Sequence, residues 1–124
     1  MKALVLVAHG SRRKQSNDEV ILLAKKLKNN CSECYKIVNV AFLEFADILI
    51  PDGINKCVVE GATSIVMLPY FLNSGKHVVE DIPNIVRTCL AQYPDIEISI
   101  APHIGASPLM MNLLISSVNT KKFA

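Results

Sequence analysis

The stretch Ala3-Leu-Val-Leu-Val-Ala8, followed at once by His9-Gly-Ser-Arg12, decides which fold we expect for this chain. Six apolar residues without alternation are typical of a strand that is buried on both faces, and such strands occur in parallel sheets covered by helices. The glycine that follows predicts a tight turn at the carboxyl end of the strand. We therefore expect a buried strand whose end presents His9 on a loop.

Segments with strand and helix patterns alternate along the rest of the chain. Four strands that alternate with four helices predict an α/β fold, with a four-stranded parallel sheet, helices on both faces and the order βαβαβαβα, as in one flavodoxin-like half. The length predicts that residues 1–124 form one domain. The three further strands are predicted at Lys36–Leu43, Ser64–Leu68 and Ile96–Ala101.

The first two helices are delimited by capping signals. The pattern Ser16-Asn-Asp-Glu19 predicts a capping box at the start of the first helix. The second helix is expected between Ile48 and Glu60, because Pro51 suits a first helical turn and Gly61 suits a helix end.

The last two helices both have a proline near their start. For the third helix, Pro83 predicts either a kink or a start near Ile82 with Asp81 as the cap. For the fourth helix, Ser107 is the expected cap and Pro108 the expected first helical residue.

The composition limits the classes of protein to which the chain can belong. It has 124 residues, of which 51% are hydrophobic and 19% charged, and its formal net charge is +2. This balance argues against disorder, and the small charge argues against a nucleic-acid partner. The apolar runs are far shorter than the roughly 20 residues of a membrane span, and the segment before His9 is too short for a secretory signal. We therefore expect a cytoplasmic protein without a membrane partner, and its small, apolar domain favours association with a second copy.

The four cysteines are expected to be thiols in such a compartment. Cys57 and Cys89 lie within helical apolar patterns, which predicts that they are buried. Cys31 and Cys34 have the spacing of a redox motif, but they follow a helix instead of preceding one. We interpret this pair as two thiols in a loop.

Chemically active side chains follow the predicted strands. In open parallel sheets the ligand crevice lies beyond the carboxyl ends of the strands, and His9, Glu44, His77 and His103 all fall there. Imidazole and carboxylate together suit iron, cobalt and nickel, and a neutral imidazole can also accept a proton. His103, next to a proline, is the weakest of these candidates, and Glu44 could instead cap the following helix.

Basic residues are expected near the same crevice. The run Arg12-Arg13-Lys14, together with Lys76, would flank it and could hold a substrate that bears several carboxylates. The ordinary alternative for such a run is a solvated approach to a helix.

Two familiar interpretations of the first turn do not fit. A dinucleotide-binding turn needs three glycines, and only Gly10 is present. A histidine phosphatase carries arginine directly before the histidine, where this chain has Ala8.

Six short motifs occur in order along the chain: Val7-Ala-His-Gly-Ser-Arg12, Ala41-Phe-Leu-Glu44, Gly61-Ala62, Leu68-Pro-Tyr-Phe-Leu72, Gly75-Lys-His-Val78 and Asp81-Ile-Pro83. In this order and spacing the sequence resembles the sirohydrochlorin chelatases of the CbiX/SirB type, which belong with ferrochelatase to the class II chelatases. The similarity runs from about residue 3 to residue 114 and is to the short, single-repeat form that works as a homodimer. Where relatives often have Glu-Pro after the second motif, this chain has Asp47-Ile48.

The resemblance implies roles for particular residues. His9 and His77 are expected to hold the metal and to accept pyrrole protons, and Glu44 is expected to assist as a base or by orienting a histidine. A catalytic site of this kind should bind metal only moderately, unlike a closed site with four protein ligands. The expected substrate-binding residues are Ser11, Arg12, Phe71, Leu72, Asn73, Ser74 and Gly75.

The function implied by the resemblance is insertion of Co²⁺, or of Fe²⁺ or Ni²⁺, into a sirohydrochlorin-type tetrapyrrole, as in cobalamin or siroheme biosynthesis. The divalent metal is then a substrate, and no organic cofactor is expected. Imidazole and carboxylate ligands do not distinguish among the three metals. Two alternatives remain open, namely a tetrapyrrole or metal carrier without turnover and a phosphoryl-transfer enzyme with His9 as nucleophile.

Overall fold

The computed structural model describes residues 1–120 and contains four strands and four helices in strict alternation. A π-helical turn, His77–Asp81, leads into the third helix, and a 3₁₀ turn, Ile104–Ala106, precedes the fourth. The predicted order βαβαβαβα is confirmed. The elements are β1 Lys2–Ala8, α1 Lys14–Cys31, β2 Ile37–Phe42, α2 Ile50–Val59, β3 Ser64–Pro69, α3 Ile82–Gln92, β4 Glu97–Ile100 and α4 Met110–Asn119.

All four strands are parallel and lie in the order β2-β1-β3-β4. Ala3 of β1 pairs with Ile37 on one side and with Ile65 on the other, so β1 lies inside the sheet. Every residue from Ala3 to Ala8 is buried. The run is continuously apolar because helices cover both faces of this strand, as the sequence predicts.

One face of the sheet carries the main core. Side chains that alternate along β1 and β3, such as Val5 and Met67, pack there against Ile54 of α2 and Val86 of α3. Cys57 and Cys89 are buried on the same side, as predicted, and burial raises the pKa of both thiols. All four cysteines are free thiols.

The opposite face is less well covered. Helix α1 covers part of this face, where Leu4 and Leu6 of β1 are buried. Val66 and Leu68 of β3, which alternate with the core residues, are only half-buried. None of the ten residues of α4 is buried within the described part of the chain.

The first predicted cap is wrong. Helix α1 begins at Lys14, and Arg13 at its N-cap makes no side-chain capping bond. Ser16 already lies in the first turn, because its backbone N–H donates to the Arg13 carbonyl at 2.9 Å. Its hydroxyl instead accepts a 3.4 Å hydrogen bond from the Arg13 guanidinium. The second helix ends as predicted, and Gly61 beyond it has a φ of +102°.

The third helix begins at Ile82 as predicted, but Asp81 does not cap it, because its backbone is already helical with φ −68° and ψ −48°. Pro83 has no N–H for a regular bond to residue 79, and its ring would crowd that carbonyl. The preceding turn is widened, and the Ile82 N–H bonds to His77, five residues back.

The predicted start of the fourth helix is early by about two residues. Helix α4 begins at Met110, with Leu109 at the N-cap, instead of at Pro108. Ser107 still accepts two backbone N–H groups, from Leu109 on its hydroxyl and from Met110 on its carbonyl, both at 3.1 Å. These bonds form a separate turn before the helix. No helix within residues 1–120 is long and apolar enough to cross a membrane.

Candidate metal-binding site at the carboxyl edge of the sheet

The loops that follow β1 and β2 are joined by backbone hydrogen bonds. The Leu43 N–H donates to the Ala8 carbonyl at 3.0 Å, and the Glu44 N–H donates to the His9 carbonyl at 3.1 Å. Gly10 lies in this junction with a φ of +93°, and a β-carbon there would overlap the carbonyl of Glu44. Only glycine fits such a position, since both the backbone angle and the lack of space exclude a side chain.

This junction brings His9 and Glu44 together. The His9 Nε2 atom lies 2.7 Å from Oε1 of Glu44, although the two residues are 35 positions apart. An ionised carboxylate only accepts hydrogen bonds, so Nε2 carries the proton and donates it. The lone pair of Nδ1 of His9 is therefore the one available to a ligand. Glu44 therefore binds His9 and does not cap α2. The N–H of Leu49, the N-cap residue of α2, donates to Asp52 at 3.2 Å instead.

His77 has a carboxylate partner of its own. Its Nδ1 atom lies 2.7 Å from Oδ2 of Asp81, four residues later in the π-helical turn. By the same reasoning Nδ1 donates, and Nε2 of His77 keeps its lone pair. We predicted Asp81 only as a helix cap, and its contact with His77 was missed. The i, i+4 spacing of the two residues in a helical segment is the signal that could have revealed it.

The two imidazoles lie against each other. Their ring centroids are 4.5 Å apart with an interplanar angle of 68°, which is an edge-on arrangement. The four side chains thus follow one another in the order Glu44, His9, His77 and Asp81. The four-residue chain of contacts places two open imidazole nitrogens at the rim, each backed by a carboxylate that can offset the charge of a bound cation.

The arrangement is open instead of a closed metal cage. The side chains of His9 and Glu44 are 47% and 48% exposed, and those of His77 and Asp81 are 40% and 31% exposed. Within residues 1–120, no three His, Cys, Asp or Glu side chains are grouped so that they could hold a metal ion together. The pair of imidazoles therefore offers two ligands and leaves the remaining positions of a cation to water or to a substrate.

The loop Phe71–Gly75 lies beside His77. The Phe71 ring centroid is 6.4 Å from that of His77, and Leu72 is 64% exposed. The Phe71 carbonyl accepts the Gly105 N–H at 3.0 Å, and a β-carbon on Gly105 would overlap the backbone of Leu72. The loop thus presents apolar surface next to the imidazoles while the 3₁₀ turn supports its base. The roles of Phe71, Leu72, Asn73, Ser74 and Gly75 in binding substrate stay predictions.

Ser11 and Arg12 lie on the other side of the loop that carries Glu44. They line a cavity of about 280 Å³ between α1 and residues 45–48. The Arg12 guanidinium lies 4.7 Å from the centroid of the Phe45 ring, a cation–π contact. His77 and Glu44 line a separate cavity of about 290 Å³. Arg12 and Lys14 thus line the first cavity and not the one that His77 and Glu44 line. The roles of Ser11 and Arg12 in binding substrate stay predictions.

His103 does not join the histidine pair. Its carbonyl accepts the Ala106 N–H at 2.9 Å, and the residue precedes the 3₁₀ turn. Among the described residues, the ring of His103 makes no contact with the ring of His9 or His77. Two of the three histidines are thus brought together.

A parallel sheet in this order, with two imidazoles and two carboxylates paired at its carboxyl edge, defines an α/β protein whose candidate site combines ligand types that suit divalent transition metals. The CbiX family model matches residues 3–121. The chain belongs to the CbiX family, as the motifs predict.

Similar proteins have chelatase names. The chain is 43% identical over 86 residues to a sirohydrochlorin cobaltochelatase of Methanococcus aeolicus, covering 69% of this chain and 59% of that protein. It is 30% identical over 119 residues to a sirohydrochlorin ferrochelatase of Priestia megaterium, covering 96% of this chain and 44% of that protein. The chain therefore spans about half the length of these relatives.

A solved structure has the same fold. The sirohydrochlorin chelatase SirB of Bacillus subtilis subspecies spizizenii, determined in complex with cobalt, superimposes with a TM-score of 0.86 at 28% identity. The match covers 95% of this chain and 50% of that chain. The predicted four-stranded α/β fold is thus confirmed by a protein that is about twice as long.

Proposed function

We propose that this chain inserts a divalent metal, Co²⁺, or else Fe²⁺ or Ni²⁺, into a sirohydrochlorin-type tetrapyrrole. The observation that carries the proposal is the pair of imidazoles of His9 and His77, whose ring centroids lie 4.5 Å apart. One nitrogen of each ring is hydrogen-bonded to a carboxylate, and the other nitrogen is open. The names of the relatives support the choice of substrate, and the cobalt in the related structure supports the choice of metal.

The metal step needs ligands that hold a cation and then release it. Nε2 of His77 and Nδ1 of His9 supply two borderline ligands, and Asp81 and Glu44 offset the charge of the arriving ion. Because two protein nitrogens do not fill the coordination sphere, water occupies the rest and the pyrrole nitrogens can replace it. An open site of this kind binds moderately, as insertion requires.

The proton step must remove two pyrrole protons for each divalent ion that enters the ring. An imidazole lone pair can take a proton only when no metal occupies it, so the two functions alternate on a given nitrogen or are divided between the rings. The Glu44 carboxylate accepts a hydrogen bond from Nε2 of His9 at 2.7 Å and so orients the ring that would accept the proton on Nδ1. The half-exposed side chains then pass the proton to water.

The flat macrocycle needs an apolar surface beside the metal. Phe71, close to the His77 ring, and the exposed Leu72 offer such a surface, and the neighbouring residues Asn73–Gly75 are exposed. We propose that one face of the ring rests on this loop, so that its nitrogens face the imidazoles.

The test follows the absorption spectrum of sirohydrochlorin mixed with protein and with Co²⁺, Fe²⁺ or Ni²⁺. We expect faster spectral change than in a protein-free control for at least one ion. His9→Ala and His77→Ala should each lower the insertion rate at least a hundredfold, because each removes a ligand or base used in the reaction (about 10²–10⁴-fold). Rates equal to the control with all three ions would refute the proposal.

His103→Ala is the matched control, because it removes an imidazole from the same edge of the sheet without touching the pair. We expect it to keep the wild-type rate and thermal midpoint. If all three alanine variants lost the same activity, the assignment of the pair would be wrong.

The geometry does not favour a phosphoryl-transfer enzyme. Such an enzyme needs cationic groups around the phosphate next to His9. The guanidinium of Arg12 lies over Phe45 and that of Arg13 bonds to Ser16. A screen with generic phosphate esters should therefore detect no turnover.

We also propose that the working unit is a homodimer that uses α4. Helix α4 has no buried residue, and six large apolar side chains in and beside it are exposed, which is unusual on the surface of a monomeric protein. The half-buried strip of Val66 and Leu68 is a second apolar surface of the same chain. The exposed side chains of the helix region are Leu109, Met111, Leu113, Leu114, Ile115 and Val118.

Sedimentation velocity tests this assembly. Wild-type protein should sediment as a dimer, and Leu114→Lys should shift the equilibrium to monomer, because a charge placed in an apolar interface is costly to bury. Asn112→Lys adds the same charge to a polar position of the same helix and serves as the comparison. A monomeric wild-type protein at micromolar concentration would contradict the dimer.

A further inference from the structure

Asn17, in the first turn of α1, joins the loop after β1 to the loop after β2. Its Oδ1 atom accepts the Ser11 N–H at 2.9 Å, and its Nδ2 atom donates to the carbonyls of Ser11 at 2.8 Å and Phe45 at 2.9 Å. An asparagine amide has two N–H donors, and both are used here. None of these bonds caps α1, because all three partners lie outside the helix.

The two loops that Asn17 joins carry His9 and Glu44. Ser11 is two residues beyond His9, and Phe45 directly follows Glu44. The backbone bonds between the loops end at Glu44, whose N–H donates to the His9 carbonyl. Beyond that point Asn17 supplies the hydrogen bonds between the loops, and the Arg12 guanidinium over the Phe45 ring adds a second contact.

Phe45 is held in a costly conformation. Its φ is +56°, a left-handed backbone conformation that residues other than glycine, asparagine and aspartate rarely adopt. Such a residue keeps its conformation only where neighbours hold it, and the bond from Asn17 to the Phe45 carbonyl is such a restraint. Because Phe45 directly follows Glu44, a restraint on the Phe45 backbone also restrains the backbone from which the Glu44 side chain extends.

The contact between Glu44 and His9 is not held by burial. Both side chains are about half exposed, and exposed ion pairs contribute little by themselves. The 2.7 Å distance therefore depends on the backbones that carry the two side chains. We propose that Asn17 is a positioning residue, which keeps Glu44 on Nε2 of His9 and so leaves Nδ1 of His9 open for the metal or the pyrrole proton. The use of Nδ1 in metal insertion rests on the proposed function, whereas the effect of Asn17 on the contact between Glu44 and His9 does not.

The test compares Asn17→Asp and Asn17→Ala with Asn30→Asp. The aspartate at residue 17 keeps the acceptor for Ser11 but has no donor for the two carbonyls, and the alanine removes all three bonds without adding charge. Asn30 lies on the same helix and also donates to a backbone carbonyl, that of Lys26 at 2.7 Å, but it is far from the loops in sequence. The Asn30 variant therefore controls for charge and for the loss of one such bond.

The first measurement is the nitrogen NMR spectrum of the His9 ring at about pH 8, where an ordinary imidazole is neutral. In wild-type protein the two ring nitrogens should differ strongly, because Nε2 carries the proton that Glu44 accepts. Both Asn17 variants should bring the two shifts closer together, as in a ring that exchanges between its tautomers. Asn30→Asp should leave them unchanged. Unchanged His9 shifts in folded Asn17 variants would overturn the inference, whatever the protein does with tetrapyrroles.

The second measurement is Co²⁺ binding by the protein alone, in wild-type and Glu44→Ala backgrounds. We expect Asn17→Asp to weaken Co²⁺ binding about tenfold in wild-type protein, the effect typical of residues that orient metal ligands. In the Glu44→Ala background the loss should be no more than about twofold, because the side chain that Asn17 positions is absent. Equal losses in both backgrounds would show a merely structural role and overturn the inference.

Failure of the proposed function has a different signature. If wild-type protein shows no metal insertion while the His9 spectrum still responds to Asn17, the chelatase proposal fails and the positioning role stands. If insertion is normal in the Asn17 variants and the His9 spectrum is unchanged, the chelatase proposal stands and the positioning role fails.

Discussion

His9 and His77 lie 4.5 Å apart, but their carboxylate partners reach them by different routes. Glu44 is 35 residues from His9 and arrives from the end of the neighbouring strand, so this pair exists only when β1 and β2 are in register. Asp81 is four residues from His77 and lies in the same helical turn. The His9 pair is therefore a tertiary contact, and the His77 pair is a local one. Substitutions at residues in and around each pair should therefore differ in their effects on stability and on Co²⁺ binding.

The largest difference is expected between two glycines. Gly10→Ala should disrupt the His9 pair, because a β-carbon would overlap the Glu44 carbonyl and the φ of +93° is unfavourable for alanine. We expect a loss of about 3 kcal/mol or more in the free energy of unfolding and Co²⁺ binding too weak to measure. Gly75, before His77, has open space around its β-position, so Gly75→Ala should change the free energy of unfolding little. Chemical denaturation measures both, and equal losses would contradict the distinction.

The next largest effect is expected from the carboxylates. Glu44→Gln and Asp81→Asn keep the shape of each side chain but remove its charge, and each should weaken Co²⁺ binding by about tenfold. Because the two rings are in contact, the double variant should lose less than the product of the single effects. Isothermal titration with Co²⁺ measures all four proteins. Strictly multiplicative losses would show that the two pairs act independently.

The smallest effect is expected from Pro83→Ala, which alters only the local pair. The new N–H at residue 83 can bond to the Val79 carbonyl, so the π-helical turn can relax to a regular helix and rotate His77 relative to His9. We expect a loss of a few-fold in Co²⁺ affinity, with Asp81 still bonded to His77, since residues four apart also meet on a regular helix. Amide exchange at residue 83 reports the new bond. An unchanged affinity with a protected amide would show that the wide turn does not set the metal site.

The same contrast explains what could be predicted from the sequence. Strand and helix patterns depend on neighbours along the chain, so the four strands and the end of α2 at Gly61 were predicted within about two residues. The caps at Ser16 and Asp81 were wrong, because both side chains bond to other partners, Arg13 and His77. A capping pattern in the sequence shows which hydrogen bonds a side chain can make. It does not show which of several possible partners lies within reach in the folded chain.

The candidate site was predicted in part for the same reason. A parallel sheet places the residues that follow its strands at one edge, and His9, Glu44 and His77 do meet there. The contact of Arg12 with the Phe45 ring was not predictable, because it depends on how the loop at Phe45 turns. The part played by Asn17 gave no signal in the sequence pattern, since its three bonds reach two loops that are adjacent only in the folded chain.

The sequence by itself determined the alternation of strands and helices, the burial of β1 and the set of side chains at the carboxyl edge, because these follow from local periodicity and from the direction of parallel strands. The tertiary structure decided which partner each side chain has. Which partner a side chain binds depends on differences of a few tenths of an ångström in the distance between two polar atoms. These atoms often lie on loops that are far apart along the chain. Such distances exist only after the sheet has formed, which is why Glu44 became the partner of His9 instead of the cap of α2.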